Sequence, residues 1–250
     1  MTTDYNHLSD QYDQTKISPL RKYVDRFTLL KVVGDVRGKA VLDLGCGHGH
    51  YTRMIKLQEA ARVAGVDISQ VMIADARLQE QQTPLGIEYR VADVAGLERI
   101  GSFDLALAVY LFPYAATRQQ LSGMCRSGYR NLKPGGRLVA AFLNPAVTVA
   151  DLPGYQKYGA SLTAPAGLHD GAAITASLEV PDGSFELTAD YWSRATYEHS
   201  LAEAGFQKIM WYPMEVPEDA IERYGQDYWQ TFQTKPLDIV LECYKPAEAG

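Results

Sequence analysis

Three acids, Asp43, Asp67 and Asp93, lie in or at the end of short apolar runs, and glycines at 45, 47 and 49 follow the first of them. Glycines at alternate positions allow backbone angles that other residues avoid and let a ligand lie against the main chain. The pattern is D-x-G-x-G-x-G, not the G-x-G-x-x-G that cradles a pyrophosphate. An acid beside the loop repels a pyrophosphate but suits a ligand that carries an ammonium group. Asp67, 22 residues beyond Gly45, is placed to accept two hydrogen bonds from a ribose-like diol. Asp93, in a loop after a strand, can cap the turn that follows it.

These residues need a sheet edge to bring them together. Ala40–Leu44, Arg62–Asp67, Ile87–Asp93 and Phe103–Tyr110 read as strands, the last so apolar that it should run through the centre of a sheet. Helical patterns over about 51–60, 70–81 and 118–131 separate them. A turn at Leu132–Arg137 leads into a strand at Leu138–Leu143, and Asn144-Pro145 ends it. Alternating strands and helices predict an α/β, Rossmann-like, doubly wound sheet, with ligands at the carboxyl ends of its strands. The alternation stops over about 145–193, where Ala172–Val180 and Phe185–Trp192 flank a Pro-Asp-Gly turn and read as an inserted β-hairpin. It returns with a helix over 196–204 and strands at 207–212 and 237–244. Residues 1–33 read as helical, with Leu20, Tyr23, Val24, Phe27 and Leu30 forming one apolar stripe.

The segment Val41-Leu42-Asp43-Leu44-Gly45-Cys46-Gly47-His48-Gly49-His50-Tyr51-Thr52-Arg53-Met54-Ile55 resembles the first motif of the class I S-adenosylmethionine-dependent methyltransferases. Asp67-Ile68-Ser69 resembles the second, and Leu132-Lys133-Pro134-Gly135-Gly136-Arg137-Leu138-Val139 a turn common at that point in the family. The likeness is close over roughly 35–143 and only in outline elsewhere. It implies a seven-stranded, mostly parallel sheet with an antiparallel edge strand, and S-adenosylmethionine as cofactor. By resemblance, Asp43, Gly45 and Gly47 belong to the cofactor loop, Asp67 to the ribose, and Asp93 and Val94 to the adenine. Ile68, Met72 and Tyr110 are assigned to the same cofactor. N-terminal helices of relatives cover the cofactor, so residues 1–33 are expected to form a lid on a methyltransferase domain of residues 34–250. There Tyr12 is expected to meet the methionine part, with Arg21, or less readily Lys16, at its carboxylate. Inserts at this position roof the acceptor pocket in relatives, which makes Tyr114, Asn144, Tyr158 and Tyr191 candidates for substrate contact. Many relatives carry a polar residue near position 112 or 113. Here the stretch Tyr110-Leu111-Phe112-Pro113-Tyr114 is aromatic and apolar.

Methyl transfer from a sulfonium is an in-line displacement, so alignment and exclusion of water matter more than a strong base. Aromatic faces from Tyr12, Tyr110 or Tyr114 could stabilise the cation, and His169 in the insert is the candidate base. Three functions are therefore carried forward. One is methylation of a small heteroaromatic or other secondary-metabolite nitrogen or oxygen. The second is cyclisation of the cofactor itself to azetidine-2-carboxylate, releasing methylthioadenosine, should the roof exclude every acceptor. The third is a non-catalytic cofactor-binding module. A net charge of −6 and the lack of a basic run argue against nucleic acid. No apolar stretch reaches about 18 residues, which argues against a membrane span. The polar N-terminus is unlike a secretory leader and the three cysteines are scattered, so the expectation is a cytoplasmic monomer or homodimer without a metal.

Overall fold

A computed structural model describes residues 19–180 and 183–247. Its centre is a seven-stranded sheet built from β1 (Ala40–Leu44), β2 (Arg62–Asp67), β3 (Glu88–Val91), β4 (Phe103–Val109), β5 (Leu132–Leu143), β9 (Gln207–Pro213) and β10 (Asp238–Tyr244). The spatial order is β3-β2-β1-β4-β5-β10-β9. Strands β1 to β5 pair in parallel, and β10 runs antiparallel to both β5 and β9. The reversed strand is thus one place in from the edge rather than at it. Its sequence explains the position, because all but the last residue of β10 are buried, as two flanking strands require.

Successive side chains of β4 go to opposite faces of the sheet. Leu105, Leu107 and Val109 join a core with the N-terminal helices, while Ala106 and Ala108 join a second core on the other side. Helices α2 (His50–Lys56) and α3 (Gln70–Gln82) follow β1 and β2, while α4 (Arg118–Asn131) follows β4 and α5 (Arg194–Ala204) precedes β9. Polar caps fix their starts: Ser69, Thr117 and Ser193 accept from the backbone N–H three residues on.

The first described helix differs from its sequence pattern. Leu20–Asp25 is π-helical and passes directly into α1 (Arg26–Val33). The wider turn changes which residues face inward. Leu20, Val24, Leu29 and Val33 are buried, whereas Phe27 is exposed. The expected lid residues Tyr12 and Lys16 lie outside the described residues.

The insert forms a small three-stranded antiparallel sheet, β6-β7-β8. The expected hairpin is β7 (Ala172–Val180) with β8 (Gly183–Tyr191), and β6 (Ala160–Thr163) adds a strand the pattern did not announce. A 3-10 segment, Val149–Tyr158, precedes it. Two short helices, α6 (Glu218–Tyr224) and α7 (Gln226–Thr234), lie between β9 and β10. They pack by aromatic side chains: the Tyr158 and Trp229 rings stack 5.3 Å apart, and Phe232 meets both edge-on. Trp229 is fully buried and donates its indole N–H to the Ala220 carbonyl at 3.0 Å. Trp229→Ala removes that packing and leaves a cavity, with an expected loss of about 3–5 kcal/mol. Urea unfolding followed by circular dichroism measures it.

Candidate functional site

The glycine loop is held by the end of β2. Gly45 and Cys46 both donate to the Val66 carbonyl, at 2.8 and 3.0 Å. Gly47 donates to the Asp67 carboxylate at 2.8 Å, and Ser69 donates to its other oxygen at 2.8 Å. Gly45 and Gly47 have φ of +70° and +54°, a region that disfavours any side chain. A Cβ on Gly45 would press within 2.9 Å of Leu111, whereas one on Gly47 would meet open space. Gly47 therefore borders room for a ligand.

Two acids crowd this loop. Asp43 is buried and accepts the Thr52 hydroxyl at 2.6 Å. Burial pushes its carboxyl up to about 7, despite the Thr52 bond, and the nearby Asp67 adds to the effect. Asp67 is also raised by burial, opposed by its backbone donors. Both carboxylates would be relieved by a cation. At the outer end, Asp93 is exposed and accepts the Ala95 N–H at 2.8 Å, so the capping reading describes one of its oxygens. Val94 and Met72 are buried. Ile68 leaves 67% of its surface exposed directly after Asp67, an apolar surface that a flat ring could cover.

Tyr110 stands where β4 ends. Its φ of +55° is unusual for a residue with a side chain and turns the chain sharply at the sheet edge. Its hydroxyl donates to Asp25 at 2.7 Å. The Arg21 guanidinium lies 4.2 Å over its ring, and Arg21 Nε is 3.6 Å from the same Asp25 oxygen. Arg21 therefore faces an acid and an aromatic ring of this chain.

Beyond Tyr110 opens a cavity of about 120 Å³. The main sheet's edge contributes Tyr110, Tyr114, Leu143 and Asp238; the small sheet contributes Leu162, Ile174, Leu187 and Tyr191. Tyr114, Tyr158 and Tyr191 all line it, as expected of substrate-contact candidates. Two of those hydroxyls are occupied: Tyr191 donates to the Pro145 carbonyl at 2.8 Å and Tyr158 to the Tyr228 carbonyl at 2.9 Å. They offer ring faces rather than free hydroxyls. Trp192 also lines the cavity and donates to the Ala115 carbonyl at 3.1 Å, tying the insert to the segment after β4.

Two expected residues do not join this arrangement. Asn144 spends its side chain on the backbone, donating to the Pro236 carbonyl at 2.9 Å and accepting the Ala146 N–H at 3.0 Å. It is buried and fastens the end of β5, and it is not part of the cavity wall. His169 is exposed on the loop before β7, with Nδ1 3.2 Å from the adjacent Asp170 carbonyl, and it does not line the cavity. Tyr12 lies outside the described residues. Conversely, Asp25, Asp190 and Asp238 were not anticipated. Asp238 carried one signal, an acid opening a largely apolar strand.

The raised carboxyl of Asp43 has a consequence for stability. The unfolded chain ionises near the ordinary 3.8, while the folded chain keeps the proton to about 7. Raising the pH through that window favours the unfolded chain, by on the order of 4 kcal/mol once both are ionised. Asp43→Asn keeps the Thr52 contact and removes the charge. It is expected to raise the melting temperature at pH 8 and to leave it nearly unchanged near pH 4, as thermal melts across pH will read.

Comparison with known proteins agrees with this geometry. Residues 41–136 match the family model described as a methyltransferase domain. Over 130 residues the chain is 32% identical to the ubiquinone biosynthesis O-methyltransferase of Coxiella burnetii, covering 51% of each. The corresponding Pseudomonas aeruginosa protein is 29% identical over 109 residues, 43% of this chain and 45% of that one. The chain thus spans about half the length of the curated relatives it matches. Among solved structures, the CcbJ methyltransferase of Streptomyces caelestis superposes with a TM-score of 0.67 at 18% identity, covering 96% of both chains. An S-adenosylmethionine-dependent methyltransferase of Clostridium acetobutylicum gives 0.65 at 18% identity, covering 97% of this chain and 99% of that one. At such identity these likenesses show the fold. Residues 41–136, which hold the glycine loop and both acids, thus match a methyltransferase domain, and nearly the whole chain has the fold of S-adenosylmethionine-dependent methyltransferases.

Proposed function

We propose that the protein methylates a small molecule seated in the cavity beside Tyr110, using S-adenosylmethionine held along the glycine loop. The observation that carries this reading is the shared wall. Tyr110 closes the strand next to the loop and also lines the cavity. The residues fit the cofactor's chemistry: open space at Gly47, two buried acids that favour a cation, and an uncovered Ile68 beside the ribose acid. Gly45, Gly47 and Asp43 would hold its amino-acid end, Asp67 its ribose, and Ile68, Met72, Asp93 and Val94 its adenine.

Bound S-adenosylmethionine supplies a methyl group already activated toward nucleophiles. The protein's part is to hold the acceptor in line and keep water out, and alignment of this kind is worth about 7–11 kcal/mol. The apolar lining of Leu143, Leu162, Ile174 and Leu187 does the second task. A heteroaromatic or similar secondary-metabolite acceptor, attacking through nitrogen or oxygen, suits walls made of Tyr114, Tyr158, Tyr191 and Trp192. The ubiquinone-pathway relatives are named for O-methylation, a chemistry such a cavity also accommodates. We place the protein in the cytoplasm as a monomer or homodimer; among the described residues no helix is long and apolar enough to cross a membrane.

An apolar, aromatic cavity beside the glycine loop, lined by none of the loop's own residues, favours an outside acceptor over cyclisation of the cofactor. The direct test is incubation with S-adenosylmethionine, alone and with a panel of aromatic amines and phenols, with mass spectrometry of the nucleoside product. The expected result is S-adenosylhomocysteine that appears only with an acceptor. Catalytic release of methylthioadenosine from the cofactor alone would establish cyclisation instead. Asp67→Asn is expected to weaken S-adenosylhomocysteine binding at least about tenfold by calorimetry, since it takes away both a charge and a bidentate acceptor.

A further inference from the structure

At the inner end of the cavity, two carboxylates converge on one hydroxyl. Asp25 from the π-helical turn is 1% exposed and Asp238 from the start of β10 is 6% exposed. Both face the Tyr110 hydroxyl, which has a single hydrogen and donates it to Asp25 Oδ2. The other oxygen, Asp25 Oδ1, is buried with no hydrogen-bond partner. A buried acceptor without a partner is costly to keep, so its persistence marks a site completed by something else. Among the described residues Arg21 is the one basic side chain in the cavity wall, and it lies beside Asp25. Against that single positive charge stand Asp238 in the wall and Asp25 behind Tyr110. Among the described residues the wall is therefore short of positive charge where it is most buried.

A proton can settle this deficit in the empty protein, and a bound cation can settle it in the complex. The surrounding surface is suited to a cation with an apolar body. Tyr114, Tyr158, Tyr191 and Trp192 line the same space, and aromatic faces attract ammonium groups. A carboxylate-bearing acceptor would add to the negative charge, and a neutral one would leave it unrelieved.

Resting on the function proposed above, we propose that the acceptor is a basic amine or nitrogen heterocycle with an apolar aromatic body that binds as a cation, its charged nitrogen held by Asp238 with Asp25 behind it across Tyr110. The methyl group passes from the sulfonium to an uncharged nitrogen or oxygen elsewhere in that molecule, leaving S-adenosylhomocysteine, and any displaced proton goes to water. Asp238 is the residue in reach of the ligand, because it lines the cavity. Asp25 acts through Tyr110 and is a positioning residue.

The test uses three matched probes, 2-phenylethylamine, 2-phenylethanol and phenylacetate, titrated into the full chain at pH 7.5 with and without saturating S-adenosylhomocysteine. Affinities are read by ligand-observed magnetic resonance and calorimetry. The amine is expected to bind at least about tenfold tighter than the alcohol, and phenylacetate weakest. Binding in buffers of different ionisation heat is expected to show proton release with the amine alone. Asp238→Asn should erase the amine's advantage while leaving the alcohol within about twofold, and Asp25→Asn should shrink it. Melting curves confirm that each variant is folded; if neither folds, the order of the three probes and the proton release decide. Alcohol or phenylacetate binding as tightly as the amine, an advantage that survives Asp238→Asn, or no amine binding up to about 10 mM would each overturn the proposal. Failure of S-adenosylhomocysteine to bind would instead count against the cofactor reading, and the probe order on the free protein would still decide the charge preference.

Discussion

The site depends on one junction, where the backbone N–H groups of Gly45 and Cys46 meet the Val66 carbonyl and Gly47 meets the Asp67 carboxylate. These bonds tie the loop after β1 to the end of β2. They set the loop's path before any ligand arrives, so the entropy of ordering it is met on folding rather than on binding. The loop can follow that path because its glycines tolerate positive φ, and because Leu111 occupies the space a side chain at 45 would need. Asp67 shapes the loop, and in the function proposed above it would also face the ligand, so loss of its charge would be felt in both.

Tyr110 joins the two halves of the site. Positive φ at this residue turns the chain out of β4 at the sheet edge. Its N–H remains bonded to the Ala141 carbonyl of β5 at 2.7 Å, so the turn is anchored on its inner side. Its ring lies under Arg21 and its hydroxyl reaches Asp25, which connects the N-terminal helix to the centre of the sheet. The insert closes the space from the other side, and Trp192 and Tyr191 fasten it through bonds to backbone carbonyls at 115 and 145. The cavity is thus bounded by three chain segments remote from one another in sequence. Its negative character follows from which acids those segments happen to bring together.

Much of the fold was legible because buried strands and amphipathic helices leave periodic marks. The apolar run from Phe103 to Val109 could only be a central strand, and β7 with β8 announced itself by two strand-like runs around a turn. Other elements left weaker marks. The π-helical turn at Leu20–Asp25 displaces the buried face by one position, and a fixed period of 3.6 residues cannot register such a shift. The four-residue β6 is held by its pairing with β7, and the short helices α6 and α7 by aromatic packing around Trp229; both are tertiary contacts. Asn144 looked like a polar group offered at the sheet edge, yet it satisfies backbone groups at 146 and 236 instead.

The sequence by itself determined the cofactor loop. Asp43, the glycines, Asp67 and Asp93 act through local backbone geometry and fixed spacing along adjacent strands, so their order in the chain carries their arrangement. It could not determine the acceptor pocket. Asp25, Tyr110 and Asp238 come from three separate elements, and only the tertiary packing of the N-terminal helix and of β10 beside β5 brings them together, while the hairpin folded over the sheet edge closes the cavity. Charge balance in a buried space is a sum over neighbours, and neighbours are assigned by tertiary structure.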